Sequence, residues 1–168
     1  MPRANDRAES DPFAAAGSLA VDAPILQQLR RLLADADAEI ERIRPRCWGG
    51  GACCKFDLFA HRLYASTAEL GLLASRPPVD LSRAKRRRCP YQRGPACTAR
   101  SARPLGCRTF FCAAEGEERL QEIHERYHQR IRHLHGQSAL PYIYADITRA
   151  LPEIHAARQA RELAPVLR

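Results

Sequence analysis

Residues 47–54 read CWGGGACC, and residues 89–112 read CPYQRGPACTARSARPLGCRTFFC. Together these stretches contain all seven cysteines of the 168-residue chain. Single cysteines are common as small buried residues. Seven of them beside Gly, Pro and Arg instead indicate a metal site, because thiolates bind zinc and iron–sulfur clusters. The candidate metal ligands are Cys47, Cys53, Cys54, Cys89, Cys97, Cys107 and Cys112.

The N-terminal residues and the lack of a long apolar stretch predict a cytoplasmic protein with no membrane association. The first twenty residues carry acids and lack a long apolar segment, which makes a poor signal peptide. No stretch approaches the roughly 18 apolar residues that a membrane span needs. In a reducing compartment clustered cysteines bind metal more often than they form disulfides, and an odd number cannot all pair within one chain.

Apolar residues at three- and four-residue spacing predict two long helices. The first begins after Asp22, which can cap it, and ends at Pro45. The second runs from about Glu117 to His135, with acidic residues at its positive end. Each helix therefore presents one apolar face to a core.

Shorter elements are predicted between and after these helices. Apolar and polar residues alternate from Lys55 to Tyr64, which indicates a short strand with a bend. Ser66 and Glu69 form a capping box that opens a short helix. A fourth helix is expected to start after Ser138 and to be kinked or ended by Pro152.

Residues 76–114 hold Pro, Gly, Arg and Cys without a sustained period, so a loop of this length needs a tether that metal ligation would supply. The predicted fold is α+β, a small irregular cysteine-tethered β/loop module packed against three or four helices. Residues 21–160 are expected to form one cysteine-cluster metal-binding domain. Residues 1–20 are predicted to be a disordered leader, and residues 161–168 a frayed tail.

The cysteine motifs resemble those of the YkgJ-type cysteine-cluster family, described as a zinc- or iron-chelating domain. The family pattern is CxxCGxCC, then a CP pair, then CxxxxxRPxxCR. The matching residues are Cys47, Gly51, Cys53, Cys54, Cys89, Pro90, Cys97, Arg103, Pro104, Cys107 and Arg108. Gly50 stands where the family has a cysteine, and restoring that cysteine is expected to raise metal capacity or affinity. The resemblance implies metal binding, and a related region in flagellin lysine methylases adds an iron–sulfur-dependent methyl-transfer hypothesis.

Seven thiols also limit the number of sites, since two complete four-cysteine sites need eight. Adjacent residues of an extended segment point to opposite sides, so Cys53 and Cys54 are not expected to share one ion without a local turn. Cys112 is expected to be dispensable, because the resemblance is weakest around it. Zinc and iron both accept tetrahedral thiolates and are not separated by sequence. One principal site is therefore expected from Cys47, Cys53 or Cys54, Cys89, Cys97 and Cys107.

Histidines are weaker ligand candidates. His124 and His128 have the i, i+4 spacing that can chelate zinc, but no HExxH-like pattern accompanies them, so we interpret them as ordinary partly exposed helix residues. His61 lies just after the first cysteine motif and is a reserve ligand. No nucleophile, base and orienting group is evident, so no catalytic residue is assigned and the question of an enzyme stays open.

Basic residues outnumber acidic ones by 27 to 19, and the segment from Arg83 to Arg108 carries nine of them without an acid. Arg103 and Arg108 lie beside cysteines and are expected to compensate thiolate charge. The run Lys85, Arg86, Arg87, Arg88 is either a solvated loop or a phosphate contact. Under the second interpretation the protein is a zinc-stabilised nucleic-acid-binding module, with aromatic rings available to stack on bases: Tyr91, Phe110 and Phe111.

Overall fold

A computed structural model describes residues 11–47, 49–111 and 116–163, which contain six α-helices and two small sheets. The helices are α1 Pro12–Ser18, α2 Pro24–Ile43, α3 Thr67–Ala74, α4 Leu105–Thr109, α5 Glu117–Gly136 and α6 Ile147–Leu163. The strands are β1 Tyr64–Ser66, β2 Gln92–Arg93, β3 Ala96–Cys97 and β4 Tyr144–Asp146. Short 3-10 turns cover Ala52–Cys54, Leu81–Arg86 and Arg100–Ala102. The mixture of helices and short antiparallel sheets agrees with the α+β prediction.

Helices α2 and α5 contribute to the same apolar core. Leu29 and Leu33 of α2 pack in one cluster with Ile123 and Ile131 of α5, as the periodicity of both segments predicts. The predicted cap of α2 is wrong: Ala23 occupies the N-cap without a side-chain bond. Pro24 begins the helix at a position where its missing N–H costs nothing, and that leaves less need for a side-chain cap.

Helix α3 joins this α2–α5 core to a second apolar core, because all eight of its residues are buried. The predicted capping box is confirmed: Ser66 Oγ accepts from the Glu69 N–H, and the Ser66 N–H donates to Glu69 Oε2 at 2.8 Å. The second carboxylate oxygen of Glu69 accepts from the Leu105 N–H at 2.8 Å. This buried carboxylate therefore fixes the start of α4 against α3.

The predicted strand over Lys55–Tyr64 is wrong, because residues 56–59 form a turn and a bend, residues 60–63 have no regular structure, and β1 starts only at Tyr64. Leu58 and Phe59 are exposed, so their alternation with polar residues does not reflect a core-facing strand. Strand β1 pairs antiparallel with β4, in the register Ala65 opposite Ala145.

This pairing also corrects the predicted start of the last helix after Ser138. Thr67 Oγ1 donates to the Pro141 carbonyl at 2.6 Å and accepts from the Ile143 N–H at 2.9 Å. These bonds hold the chain extended before β4, so α6 begins at Ile147. Pro152 lies inside α6, which continues beyond it.

The disordered-leader prediction is wrong for Pro12–Ser18, which form α1. Asp11 caps this helix by accepting from the Phe13 N–H at 3.0 Å. Gly17 lets α1 approach α6, since a Cβ there would lie 3.0 Å from the Ile154 carbonyl oxygen. At the other end, α6 extends to Leu163 within the predicted frayed tail. Residues 1–10 and 164–168 lie outside the described ranges.

Candidate metal centre

The first cysteine motif folds into a 3-10 turn over Ala52–Cys54. Gly51 precedes the turn with a left-handed φ of 67°, which glycine adopts readily. Its carbonyl accepts from Gln92 Nε2 at 3.0 Å, which attaches the turn to the β2–β3 hairpin. A Cβ at Gly51 would lie 2.5 Å from that same nitrogen, so a larger residue here would displace the Gln92 amide from this bond.

Backbone hydrogen bonds bring the second cysteine motif to the first. The Cys89 N–H donates to the Cys54 carbonyl at 2.9 Å, and the Asp57 N–H donates to the Arg87 carbonyl at 3.1 Å. These bonds place Cys54 beside Cys89, and both residues are buried.

Two further cysteines reach the same region from other elements. Cys97 ends β3, and Cys107 lies on α4, whose start is fixed by Glu69. Cys54 and Cys89 belong to the second apolar core, and three more cysteines pack against that core: Cys53, Cys97 and Cys107. The structure thus brings together five of the seven predicted ligands, which we call the core cysteines. Cys47 is exposed and does not join this group, and Cys112 lies outside the described ranges.

The core cysteines influence one another's ionisation. The hydrogen bond with Cys54, together with burial, raises the pKa of Cys53 far above its usual value. The hydrogen bond with Cys53 lowers the pKa of Cys54, but the contact with Cys89 and burial outweigh it and raise that pKa to about 12. Burial, followed by repulsion from Cys54, raises the pKa of Cys107. A second negative charge is therefore unfavourable in this group unless a cation accompanies it.

Cys53 and Cys54 are not expected to share one ion without a local turn, and the 3-10 turn at residues 52–54 is such a turn. Their Sγ atoms lie 4.0 Å from each other. Two thiolates on one tetrahedral zinc ion, with Zn–S bonds of about 2.3 Å, have sulfurs roughly 3.8 Å apart. The adjacent cysteines are therefore spaced for a shared ligand role that an extended strand would not permit.

A coordination sphere as such is not formed in the described part of the chain. Within residues 11–47, 49–111 and 116–163, no three side chains of His, Cys, Asp or Glu are arranged as a metal-ion site. The donor type and the Cys53–Cys54 spacing fit a thiophilic metal. A Cβ placed on Gly50 would meet no atom within 4 Å, so the cysteine that the sequence resemblance predicts to be missing there would begin in open space.

An open cleft of about 480 Å³ borders the cysteine group. Cys53 and Cys107 contribute to its wall, and the other polar lining residues include His61, Tyr64, Thr109, Gln121, His124 and Tyr144. The His61 ring stacks on Phe110 at a centroid distance of 5.0 Å, and its Nδ1 is buried without a hydrogen-bond partner. His61 Nε2 lies 3.3 Å from the Cys53 carbonyl oxygen. The predicted reserve ligand thus lies beside the cysteines, but not within a formed ligand group.

The histidines of α5 have separate partners. His124 Nδ1 is 3.0 Å from Thr109 Oγ1, and burial lowers the pKa of this histidine. His128 Nε2 is 3.1 Å from the Tyr142 hydroxyl. His124 lines the cleft whereas His128 does not, so the i, i+4 pair is not a shared chelate in this structure.

The basic run has two kinds of members. Arg88 forms an ion pair with Asp57 at 3.0 Å, and Arg87 donates to the His61 carbonyl at 3.4 Å. Lys85 and Arg86 are exposed. Arg87 and Arg88 therefore contact the segment after Cys54, although Arg87 is itself exposed, whereas Lys85 and Arg86 face solvent without such a contact among the described residues.

Of the residues predicted to stack on bases or to compensate thiolate charge, some have the predicted surroundings and others do not. Tyr91 is fully buried, with its hydroxyl 2.9 Å from His155 Nε2, so it is not available to stack on a base. Arg103 lowers the pKa of Cys53 and Cys107, as expected of a charge-compensating residue. Arg108 instead forms its ion pair with Asp37 of α2.

Sequence reasoning missed the residues that position the cysteines, above all Glu69 and Gln92. The local pattern identifies Glu69 only as part of a cap, although both of its oxygens are used. Gln92 is 1% exposed, which is unusual for an amide side chain and marks a structural role. A glutamine between two cysteines in an otherwise basic segment is the signal that could have drawn attention to it.

Comparison with models of known protein families, with curated proteins and with solved structures finds no match to the chain. The resemblance to the YkgJ-type family consequently stays a prediction. In the described ranges, no helix combines the length and apolar character required to cross a bilayer. The cytoplasmic location likewise stays a prediction.

Proposed function

We propose that the chain binds zinc or an iron–sulfur cluster through its five core cysteines. The observation that carries this proposal is their convergence from separate segments of the chain on one apolar core. Buried cysteines are common individually, but five that interact with one another are better explained by a shared ligand. The proposed ligands are drawn from Cys53, Cys54, Cys89, Cys97 and Cys107.

The electrostatics of the group support a bound cation. Each thiol whose pKa is raised has a neighbouring thiol among the causes. A metal would stabilise the thiolates that the protein alone disfavours, with release of their protons. Arg103 offsets part of the remaining negative charge at Cys53 and Cys107.

Anaerobic purification followed by elemental analysis and a visible spectrum tests this function. Stoichiometric zinc in a colourless protein, or iron and sulfide in a brown one, is the expected result. A protein that retains neither metal, and takes up neither when reduced and incubated with it, contradicts the proposal.

The cleft beside Cys53 and Cys107 favours a second candidate, an iron–sulfur-dependent enzyme such as a protein methylase. A structural zinc site is normally closed by protein ligands, whereas a catalytic metal has an accessible side. Here two proposed ligands line an open cleft that also contains His61 and His124. Such a cleft would admit a substrate or an organic cofactor to the metal.

Mass spectrometry of small molecules released from the anaerobically purified protein tests the second candidate. An organic cofactor at near-stoichiometric amount, lost in a cleft variant such as Gln121→Trp, would support it. Glu118→Trp on the same helix is the control, because Glu118 is exposed and does not line the cleft. Metal without any released cofactor, and without an effect of either variant, would favour a metal-binding role alone.

A further inference from the structure

A second cleft, of about 810 Å³, is rich in arginine and shares only Phe111 with the open cleft beside the cysteines. It is lined by residues of α2 and the segment after it, and by residues between Arg100 and Phe111. We call it the arginine cleft, and its charged lining residues are Arg30, Asp37, Glu41, Arg44, Arg100, Arg103 and Arg108. Five positive and two negative side chains leave an excess of three positive charges.

One of the five arginines is neutralised and fixed. The Arg108 side chain is only 5% exposed, forms an ion pair with Asp37, and donates to the carbonyls of Arg103 and Ser101. These bonds hold the loop before α4 against α2. Arg108 is therefore a fixed part of the cleft wall, and Asp37 is already used as its counter-ion.

The other four arginines have no carboxylate within 4.0 Å among the described residues. Arg103 adds a second observation, since its Nε is buried without a hydrogen-bond partner. Unpaired guanidinium groups that share a concave surface repel one another, and the repulsion is larger there than on an open surface. An anion in the cleft would reduce this repulsion.

Charge compensation of the cysteines does not account for this excess. Arg103 is the arginine that acts on the thiols, by lowering the pKa of Cys53 and Cys107. Arg30 and Arg44 belong instead to α2 and its C-terminal cap. Arginine forks bind phosphate oxygens in a bidentate manner, and several of them around one space fit a phosphate group.

We propose that the arginine cleft binds the phosphate group of a small molecule. The concave shape, together with the apolar side chains of Ala34, Ile40 and Phe111 in its wall, suits a compact ligand with a phosphate and an apolar part. A nucleic-acid backbone would instead need positive charges that follow an extended surface. The exposed basic residues of the 85–88 run, Lys85, Arg86 and Arg87, do not line this cleft.

Titration calorimetry of the whole chain with inorganic phosphate and pyrophosphate tests the proposal, with sodium chloride adjusted to constant ionic strength. We expect saturable binding that Arg100→Gln and Arg44→Gln each weaken about tenfold, as loss of one charge-assisted contact predicts. Arg132→Gln is the matched control, because Arg132 is an exposed arginine of α5 outside the cleft. Arg44 is exposed, so its variant keeps the test decisive if Arg100→Gln does not fold.

Absence of saturable binding by both anions, or equal weakening by Arg132→Gln, overturns the proposal. Tighter binding of a single-stranded oligonucleotide than of pyrophosphate, with the same sensitivity to Arg100→Gln, overturns the small-molecule assignment in favour of nucleic acid. Metal content is measured on the same samples, so that loss of anion binding can be distinguished from loss of metal.

Discussion

At the residue scale, Gly51 connects the first cysteine motif to the hairpin that carries Cys97. Gly49 and Gly51 both have φ of 67°, but an added Cβ has open space at Gly49 and meets Gln92 and Pro95 at Gly51. An alanine at position 49 therefore tests backbone strain alone, whereas an alanine at position 51 adds a steric clash with Gln92 and Pro95.

Gly49→Ala is expected to lower the free energy of unfolding by about 1 kcal/mol, the cost of a left-handed alanine. Gly51→Ala should cost at least about 1 kcal/mol more, because the Gln92 contact must also open. Urea unfolding of both variants measures the difference. Equal destabilisation would mean that the contact between Gly51 and Gln92 contributes little.

His135 predicts a pH dependence of stability. Its Nε2 accepts from the Ala68 N–H at 3.3 Å, and burial lowers the pKa of the imidazole. The unfolded chain then binds more protons than the folded chain as pH falls below the ordinary histidine pKa of about 6.5, so stability decreases. The contribution is complete above that pH and is lost toward the lower folded-state pKa.

Unfolding free energies measured between about pH 5 and 7.5, with chelator in every sample, test this dependence. His135→Gln retains an acceptor for the Ala68 N–H without a titrating group, so its stability should depend less on pH. His133→Gln is the control, since His133 is an exposed residue of the same helix. Some pH dependence should persist in His135→Gln, because burial also lowers the pKa of His124 and of His155. A pH profile that His135→Gln leaves unchanged would contradict the role of this residue.

At the scale of elements, the basic run should separate into a pair that contacts the segment after Cys54, Arg87 and Arg88, and a pair that does not, Lys85 and Arg86. Arg87→Ser with Arg88→Ser removes contacts to His61 and Asp57, and should increase hydrogen exchange of residues 54–61 and weaken metal retention. Lys85→Ser with Arg86→Ser should change neither. An electrophoretic shift with nucleic acid that Lys85→Ser with Arg86→Ser abolishes, and that salt weakens, would instead support the nucleic-acid alternative.

The elements that sequence predicted well are those determined by local pattern. Helices α2 and α5 follow their apolar periodicity, and α3 follows its capping box, because these signals lie within the segments themselves. Helix α1 has only seven residues and depends on packing against α6, about 130 residues away along the chain. The start of α6 depends on Thr67, which binds residues more than 70 positions away.

The same distinction applies to the candidate site. Cysteine spacing and type predicted a common metal site, and the structure brings five of those residues into one region. Neither the open cleft nor the arginine cleft was predictable, because their walls combine side chains from α2, α4 and α5 that no local pattern relates. Cys47 could not be excluded from the group by sequence, since its exposure depends on the fold around the 52–54 turn.

At the scale of the whole molecule, the two cores should respond differently to metal removal. Treatment with a chelator is expected to increase hydrogen exchange over residues 76–111, which contain three of the core cysteines and only short elements. The α2–α5 core has its own buried apolar face and should retain protection. Protection that stays unchanged in both regions would show that metal and fold are not coupled.

The central claim is that the core cysteines, and not the exposed one, hold the metal. The most direct measurement is metal content per chain in Cys54→Ser, Cys89→Ser and Cys47→Ser, each purified anaerobically beside the unaltered protein. We predict loss of most bound metal in the first two variants and retention in Cys47→Ser, because Cys54 and Cys89 are buried together whereas Cys47 is exposed. Full metal content in Cys54→Ser and Cys89→Ser, or loss in Cys47→Ser alone, would contradict the claim.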